Sequence, residues 1–145
     1  MILPDVNVLV HAFRESAPEH LAYSAWLNRT RQQGAKLLLP DAVLVGFMRV
    51  VTHPGIGFPM VTIDRASAFV SELRAGPNAH DIDDVAAVWT QLDRFIADDR
   101  GVRGNVVPDA YLAAVAISHR ARIATRDRGF ARFPGLQLFD PATAA

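Results

Sequence analysis

Short apolar runs alternate with longer amphipathic stretches along this chain. Ile2-Leu3-Pro4 is an apolar start that meets an acid at Asp5, and Val6, Val8, Leu9 and Val10 carry the apolar stretch beyond it. From Ala17 to Arg31 the spacing turns helical, with Leu21, Ala25 and Trp26 sharing a face and Gly34 as the stop. Lys36-Leu37-Leu38-Leu39 reads as a buried strand closed by Pro40. Asp41 to Val51 reads as a helix with Val43, Phe47 and Val50 near one face, and Thr52-His53-Pro54-Gly55 breaks it into a Gly/Pro-rich loop that runs to Pro59.

The second half repeats the alternation. Thr62 can cap a helix whose Ala66, Phe69, Val70 and Leu73 fall at i, i+3, i+4 and i+7, and Gly76-Pro77-Asn78 ends it. Asp81 can cap the next, with Val85, Val88, Trp89, Leu92 and Ile96 on its inner face. Asp98 to Gly104 is a polar turn. Val106-Val107-Pro108-Asp109 opens a helix that packs Leu112, Ala113, Ala116 and Ile117 inward. Arg122 to Thr125 and Leu136 to Phe139 read as strands, and the segment near Ala79 has room for one more. Strands alternating with helices predict an α/β fold built on a parallel sheet, whose strands are short continuous apolar runs.

Length and composition narrow the picture. The 145 residues (15.8 kDa), half of them hydrophobic and 21% charged, suit one globular domain spanning 1–145, and no repeat or linker divides them. The absence of cysteine removes disulfides, thiolate metal sites and a cysteine nucleophile. No apolar run reaches the ~18 residues of a membrane span. The opening Met1-Ile2-Leu3-Pro4-Asp5 has no basic region of a secretory leader, so a cytoplasmic location away from membranes is expected. Fifteen basic and fifteen acidic residues cancel, which leaves no chain-wide positive field for nucleic acid. Lys36 is the only lysine, and Arg120, Arg122, Arg126, Arg128 and Arg132 crowd the last quarter.

The acids carry the chemistry. Ligands of open α/β sheets bind beyond the carboxyl ends of the strands. Asp5 and Asp127 fall just past strand ends, and Asp109 falls at a helix start on the same side. Each has a plainer role open to it: Asp109 as a helix cap, Asp127 as the turn residue of Arg126-Asp127-Arg128-Gly129. Asp5 is harder to assign to structure alone, because an acid between apolar residues at a buried strand end is costly unless paired. Three carboxylates meeting at one edge need a cation between them, and an all-oxygen set suits Mg²⁺ or Mn²⁺. Such an ion supports phosphodiester hydrolysis. Asn7 and Thr125, two residues from Asp5 and Asp127, are placed to orient a carboxylate or a bound water. The five histidines show no helical ligand spacing, and Walker, G-x-G-x-x-G and G-x-S-x-G motifs are absent.

Four segments together carry a family resemblance. Met1-Ile2-Leu3-Pro4-Asp5-Val6-Asn7-Val8-Leu9-Val10 resembles the first-strand motif of the VapC toxins, ribonucleases of the PIN-domain family. Phe47-Met48-Arg49-Val50-Val51-Thr52-His53-Pro54 is similar to the end of their second acidic helix. Pro108-Asp109-Ala110-Tyr111-Leu112-Ala113-Ala114 and Ala124-Thr125-Arg126-Asp127-Arg128-Gly129-Phe130 resemble their two C-terminal motifs. The resemblance spans nearly the whole chain. It implies a PIN-like three-layer α/β sandwich and a Mg²⁺-dependent endoribonuclease, the toxin of a type II VapBC pair. Asp5, Asp109 and Asp127 are then metal-binding catalytic acids, with Asn7 and Thr125 supporting them. It further implies a homodimer, a VapB-type antitoxin that plugs the acidic site, and an RNA substrate of the transfer or ribosomal class. Arg126, Arg128 and Arg49 are candidates to guide phosphates, against the plainer role of solvated or ion-paired side chains.

One position departs from the family pattern. Gly46 stands where the family usually carries a glutamate. Glycine costs ~1 kcal/mol in a helix, so local stability does not explain it. Asp41, five residues earlier, lies roughly 140° around the helix and is no substitute. Three readings stay open: a site that runs on three acids and one metal, a weakened member that still binds RNA or antitoxin, or an inactivating change that permits production of a toxic protein. A silenced binding module is therefore the rival from another class. A phosphatase reading, from the faint D-x-D likeness of Asp5-Val6-Asn7, is opposed by Asn7 and by the lack of a catalytic lysine other than the lone Lys36.

Overall fold

The computed structural model describes residues 1–143. Five short parallel strands form its sheet: β1 (Ile2–Pro4), β2 (Leu37–Leu38), β3 (Ala79–His80), β4 (Arg122–Ala124) and β5 (Leu138–Phe139). Their order is β3-β2-β1-β4-β5. Six helices flank the sheet: α1 (Val6–Phe13), α2 (His20–Gln32), α3 (Asp41–Val51), α4 (Ile63–Arg74), α5 (Val85–Asp98) and α6 (Val106–Ser118). The chain builds outward from β1 through β2 to β3, then crosses to the other side for β4 and β5. The order therefore reverses between β1 and β4, where Leu3 pairs with Ile123 and Pro4 with Ala124. A reversal of this kind opens a crevice beyond the strand ends.

The expected strands and most of the helices are present, including the strand near Ala79. The apolar stretch after Asp5 is α1, a helix the hydrophobic pattern does not distinguish from a strand continuation. Asp5 starts it: its Oδ1 accepts from the Val6 N–H at 2.7 Å and satisfies one of the helix's free donors. The second helix begins at His20, later than expected at Ala17, and buries Tyr23, Trp26, Leu27 and Thr30. Leu21 is 81% exposed and Ala25 is also exposed, so the inner face is the i, i+3, i+4, i+7 set that begins at Tyr23.

Two expectations about α5 are corrected. Its cap is Asp84, whose Oδ1 accepts from the Ala87 N–H at 2.9 Å, and not Asp81. Asp83 in the same acidic run turns instead to the His119 imidazole at 2.9 Å. The buried face is Val88, Leu92 and Phe95, while Val85, Trp89 and Ile96 are exposed. The apolar arc of α5 is wider than its contact with the body of the protein. In contrast, Thr62 caps α4 as the sequence predicts, accepting from the Arg65 N–H at 3.3 Å.

One hydrophobic core runs under the sheet and helices, from Leu3 and Leu9 to Ile123 and Phe130. Phe47 on α3 is fully buried and packs edge-on against Phe13 at 5.3 Å between centroids, with Phe69 at 5.0 Å on α4. These rings hold α3 against α1 and α4 and so fix the wall of the crevice. Phe47→Ala is expected to destabilise the protein by about 3–5 kcal/mol in chemical denaturation. Trp89→Gln, at a half-exposed position, is expected to change stability by less than about 0.5 kcal/mol. Equal losses at both positions would contradict this placement of the core.

Candidate functional site: an acidic cleft at the carboxyl edge of the sheet

Asp5 follows β1 and Thr125 follows β4, so the pairing of these two strands brings residues 120 positions apart into contact. The Thr125 hydroxyl donates to Asp5 Oδ2 at 2.9 Å, and its own oxygen, Thr125 Oγ1, accepts from the Asp127 N–H at 3.0 Å. Both Asp5 oxygens are thus oriented, one by Thr125 and one by the α1 N-terminus. Asp5 is only 9% exposed and Thr125 4%. Burial pushes the Asp5 carboxyl above its ordinary range; the hydrogen bonds from Thr125 and Val6 oppose that, and the Asp127 charge adds to it.

Asp109 sits at the fourth position of α6 and is half-buried. It does not cap that helix; Asn105 holds the cap position, without a side-chain bond. Among the described residues no protein group hydrogen-bonds the Asp109 carboxylate. Burial raises its pKa first, then the charges of Asp127 and Asp5, while Arg132 lowers it. Asp5 and Asp109 share one space, and Asp127 is near enough to act on both by its charge but is not among the walls of that space. Asp127 is exposed and serves its turn as well: its Oδ1 accepts from the Gly129 N–H at 2.7 Å.

The space is a cleft of about 450 Å³ whose walls include Asp5, Asn7, Gly46, Arg49, Asp109 and Tyr111. Its chemistry suits a hard cation, since Asp5 and Asp109 both offer oxygens to it and both carboxyls are raised by burial first and by the Asp127 charge in addition. Among the described residues no three carboxylates or imidazoles are close enough to close around an ion by themselves. Asp5 and Asp109 line an open cleft and do not form a finished cage.

Gly46 lines this cleft from α3. A Cβ added there would meet Val6 Cγ2 at 3.0 Å, so any side chain requires Val6 to give by a few tenths of an ångström. Asp41 lies in a neighbouring depression of about 380 Å³ with Arg74 and Asp81, and not among the walls of the main cleft. The two depressions share Ala42 and Tyr111 as wall residues.

The three arginines divide. Arg49 is exposed and lines the cleft. Arg126 forms an ion pair with Glu19 at 2.7 Å, the plainer of its two expected roles. Arg128 is exposed at the start of the turn Arg128–Arg132. Sequence reasoning missed Arg132 and Tyr111. Arg132 pairs with Asp99 at 2.9 Å and projects its field onto Asp109; its only trace in the sequence is the arginine-rich last quarter. Tyr111 carries no pattern of its own beyond lying two residues after Asp109.

With this geometry in place, comparison with known proteins identifies the class. Residues 2–136 match the family model of the PIN domain, and the chain belongs to that family. It is similar to the VapC ribonuclease Mb2897 of Mycobacterium bovis, 38% identical over 141 residues that cover 97% of this chain and 95% of the relative. It is also similar to ribonuclease VapC48 of Mycobacterium tuberculosis, 34% identical over 94% of each chain. Among solved structures it resembles VapBC2 from Rickettsia felis bound to a DNA fragment from its promoter, with a TM-score of 0.70, 18% identity and coverage of 97% and 98% of the two chains. That likeness concerns the fold. No helix among the described residues is long and apolar enough to cross a membrane.

The raised pKa of Asp109 has a consequence for stability. As pH rises through the ordinary carboxylate range, the unfolded chain loses this proton while the folded protein still holds it, so stability falls until the folded pKa is passed. Asp109→Asn removes that loss. In metal-free buffer the variant is expected to melt above the parent at pH 7, with the difference closing below about pH 4. A variant that melts lower at pH 7 would show that the carboxylate is not strained in the cleft.

Proposed function

We propose that this chain is the toxin of a VapBC-type toxin–antitoxin pair and acts as a Mg²⁺-dependent endoribonuclease that hydrolyses RNA phosphodiester bonds. The observation that carries this reading is that Asp5 and Asp109 line one cleft at the reversal point of the sheet, with Asp127 near enough to act on both by its charge, in a chain whose curated relatives bear the name ribonuclease. The reading includes a cytoplasmic homodimer held by a VapB-type antitoxin, and RNA of the transfer or ribosomal class.

Asp5 and Asp109 would hold a first Mg²⁺, with Mn²⁺ able to substitute, and Asp127 a second ion or the attacking water. When bound, such an ion supplies a hydroxide nucleophile at neutral pH and neutralises charge on a phosphoryl oxygen. The protein's own contribution is orientation. Thr125 fixes Asp5 Oδ2 and the Asp127 backbone at once, so the two acids keep their separation. Asn7 is exposed in the cleft and offers an uncharged amide beside Asp5. Arg49 brings positive charge to the same cleft, where a backbone phosphate can meet it, and Arg128 does so at the rim.

A second reading has its own observation. Gly46 opens the α3 wall of the cleft where the resemblance places a fourth acid, and this favours a silenced module that binds antitoxin or RNA without turnover. One experiment separates the two. The parent, Gly46→Glu and Asp5→Asn are each incubated with total transfer RNA and ribosomal RNA in Mg²⁺ or Mn²⁺. The expected result is metal-dependent cleavage by the parent that Asp5→Asn lowers by at least about 100-fold. Cleavage by Gly46→Glu alone would show that Gly46 silences an otherwise complete site. If no variant cuts, or if Asp5→Asn cuts as well as the parent, the ribonuclease assignment fails.

A further inference from the structure

Two charged side chains are buried among the described residues, Asp5 and Arg14, and only Asp5 belongs to the acidic cleft. Arg14 ends α1 and is 8% exposed. Its Nη2 reaches Ser16 Oγ at 3.3 Å and the Phe58 carbonyl at 3.4 Å, both long for hydrogen bonds. Its Nη1 is shielded from solvent and has no partner. The ion-paired arginines Arg31, Arg126 and Arg132 have side chains 30%, 48% and 36% exposed. The pairing is therefore inverted: arginines that water already stabilises have carboxylates, and the buried one has none. The carboxyl end of α1 supplies a partial negative charge and no more. What Arg14 lacks is a full counter-charge.

A cavity of about 70 Å³ opens beside it, bounded by Phe13, Arg14, Glu15, Ser16 and Arg65, with Pro59 and Val61 on the far wall. Arg65 from α4 stands over the Phe13 ring, 5.7 Å from its centroid, so a second guanidinium flanks the same space. Glu15 is the one carboxylate on the wall. It is exposed and makes no ion pair with Arg14. None of these residues lines the acidic cleft.

We propose that this cavity is a phosphate-binding site. Two forked guanidiniums and the Ser16 hydroxyl stand on its walls, a set of donors that a tetrahedral oxyanion uses better than a planar one. The volume is far below the ~300–1,000 Å³ of pockets that enclose a whole organic ligand. Only the phosphoryl group enters, and it comes either from inorganic phosphate or from the backbone of a nucleic-acid strand lying over the surface. The site is independent of catalysis at the acidic cleft, and the inference stands whether or not the chain cuts RNA.

The test is the melting temperature of the full chain in metal-free buffer, titrated with sodium phosphate against sodium chloride at matched ionic strength. The expected result is a saturable rise in phosphate that chloride does not reproduce and that Asp109→Asn retains. Arg65→Gln, at an exposed position that leaves the core intact, is expected to weaken the phosphate response at least tenfold; Arg14→Gln should abolish it. A non-cleavable 2′-O-methyl oligonucleotide distinguishes the source: if it blocks the Arg65-dependent response the phosphate belongs to a strand, and if it leaves that response unchanged the ligand is the free ion. Equal responses to phosphate and chloride would overturn the proposal, as would a phosphate response untouched in Arg65→Gln. A large stability loss in Glu15→Gln, matched in size to the phosphate gain, would also overturn it by showing that Glu15 itself neutralises Arg14.

Discussion

The parallel pairing of β1 with β4 is the constraint on which the rest of this structure depends. Three residue pairs join the strands, and they stitch the first residues of the chain to a segment about 120 positions away. Because β2 and β3 lie on one side of β1 and β4 and β5 on the other, the loops after β1 and β4 diverge from a single point. Asp5 and Thr125 are the first residues past those strands. Their hydrogen bond is a direct product of the pairing, and through the Thr125 hydroxyl the position of Asp127 is set as well.

The same arrangement works against stability. Asp5 is nearly buried, and Asp109 has no protein donor of its own among the described residues. Burial and like charge raise both carboxyls above their ordinary range. The fold tolerates this because the strain is local and the core beneath it is extensive, from Leu3 through Phe47 to Phe130.

Gly46 changes one wall of that cleft without disturbing the core. Its position is helical and close to Val6, so a side chain would press against α1. The neighbouring Phe47 is fully buried and anchors α3 whatever residue precedes it. Position 46 is therefore one where the chemistry of the cleft can vary while the fold stays the same.

Much of this protein was legible in its sequence. The strands at Ile2, Leu37, Arg122 and Leu138, and the helices that begin at Asp41 and after Thr62, follow from local patterns: apolar runs, caps and breakers act over a few residues and need no distant partner. Asp5 stood out for the same reason, as an acid at the end of a buried strand. Other features needed the tertiary structure. The Val6–Val10 stretch is equally apolar as strand or helix, and the cap that decides it depends on where Asp5 is held. The exposed Trp89 and Ile96 sit on an apolar arc whose width the sequence fixes but whose covered half only packing against the body selects. The plainer roles of Asp127 and Arg126, the field of Arg132 and the unpaired Arg14 are all set by neighbours far along the chain. Hydrophobic periodicity encodes which residues share a face; it carries no information about what that face meets, and charge pairing is decided there.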